Sequence, residues 1–380
     1  MPISDPSGGR SSPNGFSAVN TSRRTLGQLI RLAVCGLLLA VIFHAIFCNE
    51  AQFDLLAQGK PEAWNAMGRW EQRQYAWTHS PAKLLEMARR LDPGSLGLAF
   101  GLCGALIFLG GLRWREALRV QGLELPLAEV TRLSFVAHFF NAFLLGSTGG
   151  DVWKAYAAAR STHHKKAEAA LTVFVDRLIG ILSLLVFAVI FAIPNWPLFV
   201  RFRRYDAVGL AIFGMMVVAL VCAGAGFFTD ILSEEGRLSR WMGRFPQMKA
   251  PLRALASCRL FGRNPGFLWR SALLSIAINL AIVGTFAALA SGLGLQIPRW
   301  NLWFVVPAVV CLAALPITPS GLGVRENLFV VLLAVDFPGF GVKPAEALSL
   351  SLLGYTLNLA WSAIGGLVYL TVRKYIPPES

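Results

Sequence analysis

The sequence predicts an all-α polytopic membrane protein, with about six full spans and two re-entrant helical hairpins arranged as an inverted repeat. Three observations lead there. Charged residues make up 15% of the 380 residues against 55% hydrophobic, where soluble domains carry about 25% charged. Six apolar runs come near or exceed the roughly 18 residues that cross a bilayer. Two further apolar runs are interrupted by glycine and proline where a span should still be in progress.

The first 28 residues, rich in Ser, Pro, Gly and Arg, read as a disordered cytoplasmic tail. The first membrane half covers 29–193. It holds spans at Leu29–Phe47, Gly94–Leu112 and Ala169–Ile193, an external insert at 48–93 and a hairpin at 130–160. A connecting loop, 194–206, leads to the second half, 207–372. That half holds spans at Ala207–Phe228, Leu268–Leu289 and Ala345–Val372, a loop at 229–267 and a hairpin at 302–337, and a short tail, 373–380, follows. Leu29–Phe47 is too long for a signal h-region and lacks a small-residue cleavage site, so it is read as retained.

The net charge of +14 first reports topology in so apolar a chain, not nucleic-acid binding. Arg10, Arg23 and Arg24 place the N-terminus inside, and Arg113, Arg115 and Arg119 agree after two crossings. Loop 229–267, with seven Lys and Arg, and the tail Arg373–Lys374 are also assigned to the cytoplasm. If Val130–Leu145 spanned fully, Lys154, Arg160, Lys165 and Lys166 would lie outside, against the charge rule. A hairpin entering from the cytoplasm and turning at 146–151 (GSTGGD) removes the conflict. Its counterpart turns at 315–326 (LPITPSGLGVRE) and opens to the other side. Arg201, Arg203 and Arg204, assigned outside, do not fit the rule. Paired broken helices near the midplane are a recurring plan of secondary transporters, and irregular backbone there must be buried in protein or line a cavity.

At these residues the chain resembles the lysylphosphatidylglycerol synthetase/flippase membrane-domain family, also described as YbhN-like or flippase-like. The matching pieces are Arg113–Trp114, Phe139–Phe140–Asn141 leading to Gly149–Gly150–Asp151, Asp176–Arg177, and Leu315–Pro316 followed by Gly321–Glu326. The resemblance covers roughly 94–371. The family's commonest first tip has a proline where this chain has Leu145 or Gly146, and the 48–93 insert has no match. The resemblance implies a bacterial inner-membrane transporter, and the loop charges assign both its termini to the cytoplasm. It would move a phospholipid or lipid-linked headgroup between leaflets, without the soluble aminoacyl-transferase domain of bifunctional members.

Several residues are suited to hold a headgroup. Half-helices pointing their N-termini at the midplane present free N–H groups and positive dipole ends to a phosphate. Gly149 and Gly150 free the first turn, and Asp151 either contacts substrate or caps a helix beginning at Val152. Ser320, Gly321 and Gly323 serve the second tip in the same way. Arg325 is expected to hold a phosphate as a fork of donors, with Glu326 orienting it or binding an amino group; structural pairing with other spans is the plainer alternative. Asp176 and Arg177, adjacent and therefore on different helix faces, each require another partner, Arg177 toward Asp151 or substrate. Asn141 precedes the tip, whereas Asn279 and Asn358 read as interhelical hydrogen-bonders. Lys154 reads as snorkelling to headgroups, and His138 as a satisfied buried histidine. The run His163–Lys166 reads as a face touching anionic lipid. Trp64, Trp70, Tyr75 and Trp77 suit the outer interface.

The six cysteines show no paired spacing, so neither metal nor cofactor is expected. A transporter rather than an enzyme is expected. A membrane-embedded transferase using Asp151, Asp176 or Glu326 as base, and a small-solute transporter of the same plan, are the alternatives; the first lacks a nucleotide-sugar cradle or phosphate loop.

Overall fold

The structure, a computed structural model, describes residues 40, 44, 47–48, 50–52, 54–55, 58–142, 149–161, 166–228, 257–315, 321, 323–334 and 342–371. The run Leu29–Phe47 lies almost wholly outside these residues. So do the two tails, tip residues 143–148, Ser320, His163–Lys165 and most of loop 229–267.

The described residues are helical, without strands. In chain order the helices are α1 (Pro61–Ala66), α2 (Arg69–Arg90), α3 (Pro93–Val120), α4 (Leu127–Asn141), α5 (Gly149–Ser161), α6 (Lys166–Ala192), α7 (Trp196–Arg201), α8 (Arg203–Phe228), α9 (Cys258–Gly262), α10 (Pro265–Gly292), α11 (Arg299–Ala313), α12 (Val324–Leu333) and α13 (Pro344–Thr371). Five of them, α3, α6, α8, α10 and α13, are long and apolar enough to cross a membrane. The two interrupted runs each form a pair of shorter helices, α4 with α5 and α11 with α12.

Local sequence sets these boundaries. α3 starts at Asp92-Pro93-Gly94, where the Asp92 carboxylate accepts from Ser95 N–H at 2.8 Å; that cap holds the carboxyl below its ordinary range. α10 starts at Asn264-Pro265-Gly266 with the Asn264 side chain accepting from Phe267 N–H at 3.0 Å. Each satisfies a donor that the first helical turn leaves open, and proline at the first position loses no bond. Both helices are followed by glycines in the left-handed region, Gly122 at φ 67 and Gly294 at φ 68, as helix ends favour. Then Pro126 and Pro298 precede α4 and α11, which are 15 residues each. The second set repeats the first at constant sequence separation.

The packing keeps that correspondence. α3 and α10 lie antiparallel, with Arg113 on Ser275 (3.0 Å), Arg270 on Glu116 (3.1 Å) and Gly292 against Ser95. α4 runs antiparallel to α13, where the His138 ring bonds the Asn358 carbonyl and Gly365 abuts Phe135. α11 runs antiparallel to α6, where Phe191 and Phe187 stack on Trp303 and Asn195 donates to the Trp300 carbonyl at 2.9 Å. In hydrocarbon, close approach at small residues does the work that burial does in water. Gly104 accommodates the Trp361 ring, whose Nε1–H reaches the Phe100 carbonyl at 2.9 Å, and a Cβ at Gly365 would overlap the Phe135 carbonyl.

The 48–93 insert is not simply laid on an interface. Trp70 and Trp77 are exposed, as expected there, but Ala76 is fully buried in a cluster with Phe47, Ala51, Ala142, Tyr355 and Leu359, against which Trp64 and Tyr75 pack. Ser80 fastens α2 by donating to the Phe47 carbonyl at 2.8 Å. α2 therefore sits against the end of α4 and the middle of α13.

Candidate functional site

Charged side chains gather where α3, α5 and α6 meet. Arg113, two turns before the end of α3, donates from Nε to Asp176 of α6 at 2.7 Å and from Nη1 to Ser275 of α10. The two side chains are 9% and 13% exposed, and a carboxylate so shielded needs this charge-assisted bond. Adjacent Arg177 points another way and stands 3.7 Å from Asp151 on α5. Lys154, one turn along α5 from Asp151, turns into the bundle and places its Nζ 5.0 Å above the Trp114 ring, a cation–π arrangement in place of the snorkelling expected. The Trp114 indole is itself anchored to Thr172 at 3.1 Å. Among the described residues of this cluster, three basic side chains thus face two carboxylates, a formal excess of one positive charge.

The first turn is built for close helix contact. Asn141 at the end of α4 accepts from Gly150 N–H at 2.7 Å, so it satisfies a donor at the start of α5. A Cβ at Gly150 would overlap the Ala137 carbonyl, which makes its glycine a condition of α4–α5 packing. α5 begins at Gly149 rather than Val152, so Asp151 occupies the first turn, where its charge complements the helix dipole, and Arg177 is its partner.

The second turn carries a separate, balanced pair. Gly321 and Gly323 have φ of 70 and 81. Gly321 packs against the Ala313 carbonyl, whereas nothing lies within 4 Å of a Cβ at Gly323. Glu326, fully buried, accepts from Gly323 N–H at 2.6 Å and holds the Arg325 guanidinium at 2.7 Å. Arg325 also reaches Ser351 at 3.3 Å and lies 4.3 Å from the centre of the Tyr355 ring. That ring belongs to the cluster that α2 covers, which links the insert to the second turn. Asn279 bonds Ser183 between α10 and α6.

Asp151, Asp176 and Arg177 fall in one cluster, with Gly149, Gly150 and Asn141 at its edge. Arg325, Glu326, Gly321 and Gly323 form the other, and Ser320 lies outside the described residues. Sequence reasoning did not place Ser275, Ser351 or Tyr355 at a site, and it used Arg113 only as a motif and topology residue. The signal for Arg113 was that α3 continues to Val120, so the residue after the apolar run is still inside the helix. Among the described residues no group of three or more His, Cys, Asp or Glu is placed to hold a metal ion.

The family described as lysylphosphatidylglycerol synthase TM region matches residues 75–365. The match begins within α2, earlier than the residue 94 expected, so residues 75–93 of the insert lie inside the family's region. No curated protein matches the chain. With residues 75–365 of the 380 covered, the protein belongs to the lysylphosphatidylglycerol synthase transmembrane-region family, a membrane-embedded family related to lipid or headgroup handling.

Proposed function

We propose that this protein is a flippase-like transporter that moves a phospholipid or lipid-linked headgroup between leaflets of a bacterial inner membrane, with both termini cytoplasmic. The observation that carries the proposal is the excess of Arg113, Lys154 and Arg177 over Asp151 and Asp176, set beside the junction of the two half-length helices α4 and α5. A charged headgroup crossing hydrocarbon needs shielding and counter-charge, while its acyl tails stay in lipid. Arg177 is the residue best suited to switch partners. Its 3.7 Å approach to Asp151 is loose beside the 2.7 Å Arg113–Asp176 bond, so an incoming phosphate competes with a weak contact rather than a strong one.

Alternating access follows from an inverted repeat. The antiparallel α3–α10 pair and the reciprocal seats of α4 on α13 and α11 on α6 support that arrangement. The α4–α5 hairpin would open toward the cytoplasm and the α11–α12 hairpin toward the other side, with Arg177 between them. The balanced Arg325–Glu326 pair would be the second station, its guanidinium released from Glu326 when a headgroup arrives. The test is transbilayer movement of fluorescent phosphatidylglycerol and phosphatidylethanolamine in proteoliposomes. Movement above protein-free vesicles that is lost in Arg177→Gln is expected; no movement of any lipid tested, or full movement in that variant, would overturn the proposal.

A further inference from the structure

The three arginines that break the charge rule mark a second lipid contact, remote from the charged cluster. α7 is held rigidly at the end of the bundle opposite α9. Asn195 donates to the carbonyls of Phe191 (2.7 Å) and Trp300 (2.9 Å), Leu198 is buried, and Phe199 packs edge-on against Tyr205 and Phe304. With its inner face so fixed, this corner exposes Ile193, Trp196 and Val200 at 72%, 65% and 75%. These positions continue the exposed stripe of α6 at Val186, Val189 and Ile190, and a second stripe descends α8 through Leu210 and Phe213.

Arg201, Arg203 and Arg204 stand exposed where the two stripes end. Arg204 lies 5.1 Å from the Phe202 ring. Among the described residues none of the three enters an ion pair, and Asp206, exposed on the next turn, pairs with none of them. Exposed apolar stripes leading away from the arginines fit acyl chains, exposed tryptophan suits the headgroup boundary, and unpaired guanidinium groups bind phosphate oxygens bidentately. We infer that the α7 corner, Trp196 with Arg201, Arg203 and Arg204, is a binding site for an anionic phospholipid of the leaflet at that end of the bundle. The arginines then serve lipid binding rather than orientation, which accounts for basic residues on the side that the charge rule disfavours. The site does not depend on the transport reading.

The test titrates the purified full chain in neutral detergent with phosphatidylglycerol and, separately, phosphatidylcholine, following thermal unfolding. Wild type is expected to be stabilised by phosphatidylglycerol and little by phosphatidylcholine. With each basic residue near an anionic surface contributing about a fivefold factor, R201Q/R203Q/R204Q should need roughly tenfold or more phosphatidylglycerol for the same shift. R201K/R203K/R204K should keep most of the response. A glutamine variant that titrates like wild type, or equal stabilisation by both lipids, would overturn the site. Should the glutamine variant not fold, brominated lipids decide. Brominated phosphatidylglycerol should quench tryptophan more than brominated phosphatidylcholine does, with the excess lost in Trp196→Phe; equal quenching, or an excess that persists in the variant, would overturn it.

Discussion

Replacing Asp176 with asparagine leaves Arg113 with only neutral partners inside the bundle. The pair is 2.7 Å apart, with side chains 9% and 13% exposed. At that distance and an effective dielectric of about 20 the attraction is roughly 6 kcal/mol before desolvation is counted. Removing one member of a buried pair costs about 3–5 kcal/mol, because the other charge stays buried without its partner. At about 2 °C per kcal/mol, the scale of larger domains, Asp176→Asn should lower the unfolding midpoint by about 6–10 °C. The double variant Arg113→Met/Asp176→Leu removes both charges and should recover most of that loss, since well-packed apolar replacements of buried pairs are often neutral. The assay is thermal unfolding of each variant in detergent, paired with the proteoliposome measurement. Recovery of stability is the expected outcome and, since the excess charge on Lys154 and Arg177 is untouched, lipid movement should return with it. A single variant within about 2 °C of wild type, or a double variant no more stable than the single, would refute the assignment of Arg113–Asp176 as a shielded pair.

Four further outcomes are expected. Arg177→Gln should cost less than about 1 kcal/mol of stability, since its contact with Asp151 is long and its side chain 34% exposed, so loss of transport without a shift in unfolding midpoint would separate its role from that of Arg113. Gly150→Ala should destabilise by about 1–3 kcal/mol through overlap with the Ala137 carbonyl, whereas Gly101→Ala, with nothing within 4 Å, should be neutral or slightly stabilising in the same detergent melt. Gly323→Ala should cost about 1–2 kcal/mol from its φ of 81 alone, and Gly323→Asn should melt closer to wild type because asparagine tolerates that region. Tyr205→Phe should lower the midpoint by an amount matching about 1–3 kcal/mol, because the buried hydroxyl bonds the Leu332 carbonyl at the end of α12.

Five of the six expected spans were legible because hydrocarbon imposes one requirement, apolar length, that survives every detail of packing. The two breaks were legible for a related reason. A run such as 130–145 followed by Gly149, Gly150 and Asp151 is too broken for one continuous lipid-facing helix, and two shorter helices, α4 and α5, form there. What the sequence could not reveal was partner choice. Asp176 and Arg177 demanded partners by their adjacency alone, but whether Asp176 would meet Arg113, Lys154 or Arg325 depends on how helices far apart in the chain cross. Lys154 misled in the same way, because snorkelling and a seat above Trp114 demand the same side chain at the same helical position. The packing of the long insert was likewise not legible. α2 carries its charges toward its two ends, and in the uncharged middle Ala76 is buried in one cluster with Tyr355 and Leu359, so the helix is built into the bundle.

The two turns share a scaffold and differ in charge, and that difference has a mechanical consequence. At the first, Arg113 is committed to Asp176 by a short bond, so the surplus charge rests on Lys154 and Arg177, whose contacts are a ring face and a 3.7 Å approach. At the second, Glu326 is bound both to Arg325 and to the Gly323 N–H, so freeing Arg325 for a ligand also loosens the start of α12. An anionic group would therefore enter the first station with little rearrangement, whereas occupying the second must disturb the turn that holds it. Since Tyr355 lies over Arg325 and under α2, that disturbance would be felt by the insert, and movement of α2 would report arrival at the second station.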